Sequence, residues 1–198
     1  MEFFVFQLEQ AKELFGEDNN LTKPKQVSLW AKQLVQKHIK DKGFTFEPII
    51  SYSQEGKPFF LNNTSLHFSI SHNNNFIAIC FSEKEIGIDI ENKRKAKLEI
   101  AKRFFHKKEA EYLYSISDQE SLDIAFTKIW TLKEAYVKCI GTGIANTFNT
   151  FYITLEPEVE IHNSKDVQIN SFYQQEQDLY ISICELENSH NIISSSII

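Results

Sequence analysis

The six residues Ile86–Glu91, IGIDIE, constrain this chain more than any other stretch. In an extended strand alternate side chains share a face. Ile86, Ile88 and Ile90 then point together into a core, and Gly87, Asp89 and Glu91 point the other way. A segment that buries three isoleucines is a fixed rail rather than an acidic loop. It holds its two carboxylates about 7 Å apart, two residues of strand rise. Why a glycine should share their face is the question this strand poses.

The 198 residues suffice for one large domain or two small lobes sharing a core. Hydrophobic residues make up 42%, and seventeen phenylalanines predict an aromatic-rich core. No apolar run approaches the roughly 20 residues of a membrane span. The start, MEFFVFQLEQ, lacks the basic region and cleavage pattern of a signal peptide, and its alternation predicts a first strand. Cys80, Cys139 and Cys184 are scattered, with neither disulfide nor zinc spacing. A reduced, cytoplasmic protein is expected, with no membrane partner.

The net charge of −6 argues against nucleic acid as a partner. It is unevenly spread. Between Asn92 and Lys108, eight Lys/Arg against the single acid Glu99 make +7, which leaves −13 on the remainder. This basic segment reads either as a solvated helix face or as a docking surface for an anionic partner.

Along the chain, LTKPKQVSLWAKQLVQKHIKDKG predicts a helix. Thr22 stands at its cap, Pro24 in its first turn, and Val27, Trp30, Leu34 and Ile39 along its apolar stripe, with Gly43 as the stop. SLHFSIS, FIAICFS and EIGIDIE predict three strands in an antiparallel meander. Helices are expected from about Lys97, over KKEAEYLYSI, and over DQESLDIAFTKIWTLKEAYVKCIGTG up to Gly141 and Gly143. FNTFYITLE, VEIHN, VQINSFYQ and LYISICELE alternate as strands. Each half thus offers helix plus strands, which predicts an α+β fold of two lobes, 1–94 and 95–198.

The long helix carries the chemistry. Phe126, Trp130, Glu134 and Lys138 recur every four residues, so they share one side. Glu134 continues an apolar stripe, where a carboxylate costs several kcal/mol unless positive charge meets it. Lys138, one turn on, is one candidate, as a plain intrahelical pair. A metal is the other. Asp89, Glu91 and Glu134 make three hard oxygen donors suited to Mg²⁺, which keeps several waters and takes phosphate oxygens. Ser71 and His72 end a strand without the G-x-S-x-G elbow of a nucleophilic serine. His72 reads as a loop histidine or a phosphate contact. Gly56–Pro58 is a turn whose Lys57 is either exposed or a point charge for an anion.

GIDIE followed some forty residues later by WTLKEAYVK resembles the paired signature of the 4′-phosphopantetheinyl transferases, in their two-lobed, Sfp-like subclass. GKPFF, SISH, RFFHKKE and KCIGTGI fall in the family's order as well, over roughly Gly56 to Ile144. The resemblance implies two similar lobes related by a pseudo-twofold, with coenzyme A in the cleft between them. It implies Mg²⁺, or Mn²⁺ in its place, held by Asp89, Glu91 and Glu134 with the pyrophosphate. It implies transfer of phosphopantetheine to a serine of an apo acyl or peptidyl carrier protein, with release of adenosine 3′,5′-bisphosphate. Lys138 then corresponds to the lysine on the phosphates, Ser71 and His72 to coenzyme A contacts, and Gly56 and Lys57 to the family's turn. Glu109 matches a further family glutamate. The family's arginine position near Val27 holds no arginine, and Lys23 and Lys25 are the nearest stand-ins for gripping the 3′-phosphate. Asn92–Lys108 becomes a docking face for an acidic carrier protein, and a monomer is expected. The serine's proton needs a base, Glu134 or a metal-bound water. Two other readings use the same residues: a metal-dependent nucleotide pyrophosphatase, and a non-catalytic carrier-protein binding module.

Overall fold

The structure is a computed structural model, and it describes residues 1–143 and 147–187. Ile144, at the end of the last family motif, lies outside the described residues. The chain opens with strand β1 (Glu2–Gln7), helix α1 (Leu8–Phe15) and helix α2 (Lys23–Asp41). Strands β2 (Ile50–Tyr52), β3 (Pro58–Phe60), β4 (His67–His72), β5 (Phe76–Ser82) and β6 (Ile86–Asn92) follow. Next come helices α3 (Leu98–Phe104), α4 (Lys107–Ser115) and α5 (Gln119–Ile140), then β7 (Tyr152–Thr154), β8 (Glu160–His162), β9 (Val167–Gln174) and β10 (Leu179–Leu186). Among the described residues no helix is long and apolar enough to cross a membrane.

Local rules account for the helix ends. The Asp118 carboxylate accepts from the Ser121 amide at 2.8 Å and caps α5. Gly141, at φ +69°, ends it in the left-handed conformation that glycine adopts without penalty. Thr22 occupies the N-cap of α2, but its side chain makes no capping bond. Helix α1 was not foreseen from the sequence. Its eight residues bury only Ala11, too short a stripe to announce a helix, and Gln10 Oε1 anchors its start by accepting from the Gln7 amide.

The strands form two main sheets, ordered β1-β5-β4 and β6-β10-β9, all antiparallel. This corrects the expected meander: β4 and β5 pair, but β6 pairs with β10 and not with β5. The reason lies in the faces. Phe76, Ala78 and Cys80 of β5 pack against Ile86, Ile88 and Ile90 of β6 and Leu179, Ile181 and Ile183 of β10 in one core. The third run therefore stacks on the second rather than lying beside it. At the margin between the sheets, the Ser69 and Ser71 hydroxyls accept from the Ile88 and Ile90 amides at 3.2 and 3.3 Å.

Helices cover the outer faces. Val27, Trp30, Leu34, Val35 and Ile39 of α2 pack on Phe68, Ile77, Ile79 and Phe81. Helix α5 lies over β6, β10 and β9, with Phe126, Ile129, Leu132, Ala135 and Val137 buried and Cys184 of β10 within the same core. The order is helix, sheet, sheet, helix, an α+β arrangement with three cores. The chain changes sheets between β5 and β6, ahead of the division at 94/95 expected from the sequence.

Helix α5 also answers the question posed by Gly87. A methyl group there would sit on the Ala135 carbonyl oxygen and the Cys139 amide nitrogen, both backbone. Gly87→Ala must therefore push α5 off the sheet. We expect a loss of about 3 kcal/mol or more, read as a fall of roughly 6–12 °C in the thermal midpoint.

Candidate active site

The close approach of α5 to β6 brings one side of the helix onto the acidic face of the strand. Asp89 is 5% exposed and Glu134 8% exposed. Asp89 Oδ1 accepts from Lys138 Nζ at 2.7 Å and from Ser71 Oγ at 2.7 Å, and Lys138 Nζ stands 3.1 Å from Ser71 Oγ. The structure thus joins Asp89, Ser71 and Lys138 directly, and the intrahelical Glu134–Lys138 pair is not what engages the lysine. Asp89 Oδ2 is buried with no hydrogen-bond partner among the described residues. Such an orphaned carboxylate oxygen is costly and calls for a ligand.

Glu91, half-buried on the same face, accepts from Arg94 Nη1 at 3.2 Å. The Arg94 guanidinium lies over the Trp130 ring, 5.0 Å from its centroid. Trp130 is only half-buried, between the fully buried Phe126 and the buried Glu134.

The electrostatics show a shortage of positive charge. Burial first, then the negative charge of Asp89, push Glu134 up to about 7, with Lys138 opposing. Burial and Asp89 likewise raise Glu91 against the pull of Arg94. His72, exposed at the end of β4, is lowered by desolvation of its ring and then by the Lys138 ammonium, so it is neutral at pH 7. Among the described residues no three carboxylate, imidazole or thiol groups stand in a ready metal-holding arrangement. Lys138 and Arg94 occupy that role toward Asp89 and Glu91. The orphaned Asp89 oxygen and the mutual repulsion of the three acids nonetheless fit a hard divalent cation.

Other expected residues lie outside this network. Gly56, at φ +88°, makes the β2–β3 turn. Lys57 pairs with Glu85 and donates to the Cys139 carbonyl. Lys25 sits on the exposed first turn of α2, beside Ser28, Leu29 and Lys32. Neither Lys25 nor Lys57 hydrogen-bonds to the acidic cluster.

Lys133 was missed by the sequence reading. Its side chain and that of Glu109 are both fully buried, with Nζ 2.8 Å from Glu109 Oε2 and 3.0 Å from the Phe151 carbonyl oxygen. Glu109 also accepts from the Ile153 and His106 amides. Burial pushes Lys133 down to about 8 and Glu109 up, and each opposes the other's shift. The pair braces α5 against α4 and β7. Its signal in the sequence is faint: Lys133 stands four residues after Ile129 and seven after Phe126, on a buried stripe.

Helix α5 and strand β6, with β4, thus bring Asp89, Glu134, Lys138 and Ser71 together at one buried point. Residues 85–189 match the family model of the 4′-phosphopantetheinyl transferase superfamily, and the chain belongs to that family. It is 38% identical over 101 residues to the 4′-phosphopantetheinyl transferase gsp of Aneurinibacillus migulanus, covering 51% of this chain and 41% of that one. Against Sfp of Bacillus subtilis (strain 168) it is 34% identical over 111 residues, 56% and 49% of the two chains. Against HetI of Nostoc sp. it is 42% identical over 101 residues, 48% and 42%. The chain spans about half the length of the curated relatives it matches. A crystal structure of Thermotoga maritima holo-[acyl-carrier-protein] synthase is 17% identical with a TM-score of 0.42, over 53% of this chain and 64% of that one.

The raised Glu134 carboxyl gives a signed pH dependence. The folded protein keeps a proton that the unfolded chain releases near 4.5, so this contribution to stability is full below 4.5 and lost as pH rises through about 7. Glu134→Gln should flatten the fall in thermal midpoint between pH 5.5 and 8, and lie several degrees above the parent at pH 8. An unchanged slope would place the titrating charge elsewhere.

Proposed function

We propose that this chain transfers the 4′-phosphopantetheine group of coenzyme A to a serine of an apo acyl or peptidyl carrier protein. The observation that carries this reading is the Asp89–Lys138–Ser71 junction, with Glu134 beside it and one Asp89 oxygen unpartnered. Asp89, Glu134 and Lys138 lie within the region that matches the family model, and Ser71 joins them from β4. In the reaction the serine Oγ forms a bond to the phosphorus next to pantetheine. The bond from that phosphorus to the bridging oxygen breaks, and adenosine 3′,5′-bisphosphate leaves with the electron pair. Such a transfer requires in-line positioning and neutralisation of charge rather than a protein nucleophile.

Asp89, Glu91 and Glu134 would hold Mg²⁺ or Mn²⁺, which when bound offsets the charge of the pyrophosphate. Lys138 donates to the phosphate oxygens, exchanging its bond with Asp89 for one with the ligand. His72, neutral, offers a hydrogen bond without adding charge. Glu134, or a water on the metal, would accept the serine's proton. Ser71, bonded to Lys138, would contact the phosphates, Gly56 and Lys57 would form the turn framing the coenzyme, and Lys25, with Lys23, would stand in for the missing arginine at its 3′-phosphate. The protein works as a monomer in the cytoplasm, a setting that suits three buried free thiols.

The carrier protein docks on the basic segment 92–108. Lys93, Arg94 and Lys107 are engaged by Glu120, Glu91 and Glu111, and Lys108 by Tyr152, so the exposed Lys102 and Arg103 of α3 make the contact.

Intact-mass spectrometry of apo-carrier protein with coenzyme A and Mg²⁺ tests the reaction. The expected result is a gain of roughly a third of a kilodalton, one phosphopantetheine, and Lys138→Met should slow it by about 100-fold or more. Coenzyme A consumed with the carrier left unmodified would refute transfer. Lys102→Glu with Arg103→Glu should raise the carrier KM several-fold at low salt while leaving the coenzyme A KM unchanged. An unaltered carrier KM would remove this docking face.

A further inference from the structure

The C-terminal turn of α5 is gripped from two sides at a single residue, Cys139. From below, Gly87 of β6 lies against its amide nitrogen and Cα. From the end, Lys57 Nζ donates to its carbonyl oxygen at 2.5 Å. The last carbonyls of a helix have no partner within it and carry its negative dipole end, so an ammonium there satisfies both needs. The Lys57 stem runs across Gly141, where a Cβ would stand 3.1 Å from Lys57 Cδ.

Lys57 comes from the β2–β3 turn, far from α5 in the chain, and it is itself held. Glu85, between β5 and β6, pairs with Lys57 through one carboxylate oxygen and stands 3.3 Å from His67 Nδ1 through the other. The Glu85 carbonyl oxygen faces Cys139 Sγ at 3.3 Å. The β2–β3 turn, the start of β4 and the β5–β6 turn thus meet on one turn of helix. Lys138, whose Nζ reaches Asp89, is the next residue to Cys139 in that turn.

We propose that Lys57 is a positioning residue: with Glu85 as its counter-charge, it clamps the last turn of α5 and so holds Lys138 in register with Asp89. The clamp gives the turn's lysine a task distinct from contacting the coenzyme. Its catalytic consequence rests on the transferase reading above. A displacement of about 1 Å at a charge-neutralising group costs up to roughly 100-fold in rate. A clamp therefore acts on kcat, whereas an anion contact acts on the affinity for coenzyme A.

Three variants and two measurements separate these roles. Lys57→Met should raise amide exchange of Gly141, whose N–H bonds to the Val137 carbonyl, at least tenfold, with β5 and β10 within twofold of the parent. Lys57→Arg should restore protection, since it keeps a cation on the carbonyl. In the transfer assay Lys57→Met should lower kcat tenfold or more with the coenzyme A KM within threefold. Glu85→Gln should shift both readouts in the same direction as Lys57→Met. The proposal is overturned if Lys57→Met leaves exchange at Gly141 unchanged. It is also overturned if Lys57→Met raises only KM while Glu85→Gln, by freeing the ammonium, lowers it. Exchange needs no substrate, so a parent protein inactive in the assay would refute the transferase reading while the clamp is still judged by exchange. The Glu85 side chain is 41% exposed against 15% for Lys57, so Glu85→Gln is the milder change and tests the clamp even where Lys57→Met fails to fold.

Discussion

Helix α5 lies on strand β6 backbone to backbone at Gly87, and the rest of the site depends on that contact. With any side chain at 87, the helix would ride higher and the two charged faces would separate. Because it lies close, Asp89 and Lys138 meet at 2.7 Å across two elements that are distant in the chain. A glycine between isoleucines is otherwise a poor strand residue, since it adds no packing and costs backbone entropy. Here its value is the space it leaves.

Closeness has an electrostatic cost. Three carboxylates share one poorly solvated region, with Lys138 and Arg94 as the cations that hydrogen-bond to them. The balance is incomplete: Glu134 is pushed toward its neutral form and one oxygen of Asp89 lacks a partner. Packing must hold such a site together, because its own charges push it apart. The buried Lys133–Glu109 pair, one residue from Glu134, anchors the middle of α5 to α4 and β7. Lys133 projects about 100° around the helix from its neighbour, so one turn of helix joins an internal brace to the acidic cluster.

Much of this was legible in the chain. Alternation marked β4, β6, β9 and β10, a continuous apolar run marked β5, and a four-residue period placed Phe126, Trp130, Glu134 and Lys138 on one side of α5. Glycines stopped α2 and α5 where expected. These features are local, set by backbone geometry and the side chains within a turn or two. The nomination of Asp89, Glu91 and Glu134 as a set came from their chemistry and spacing, together with the family resemblance.

Pairing partners were not legible. β6 follows β5 after a short turn, and nothing in its alternation distinguishes lying beside β5 from stacking on it. That choice belongs to β10, some ninety residues later, whose Leu179, Ile181 and Ile183 complete the core that β5 and β6 begin. The partners of Lys57, Glu85 and Lys133 were hidden for the same reason. A lysine's sequence neighbours say little about whether it meets solvent, a phosphate, a helix end or a buried glutamate. The sequence by itself determined which face of each element is apolar and where each ends, because those depend on neighbours in the chain. Only the tertiary structure decided which faces meet, and hence which charges are paired, because hydrophobic burial is non-directional and leaves the choice of partner to the whole fold.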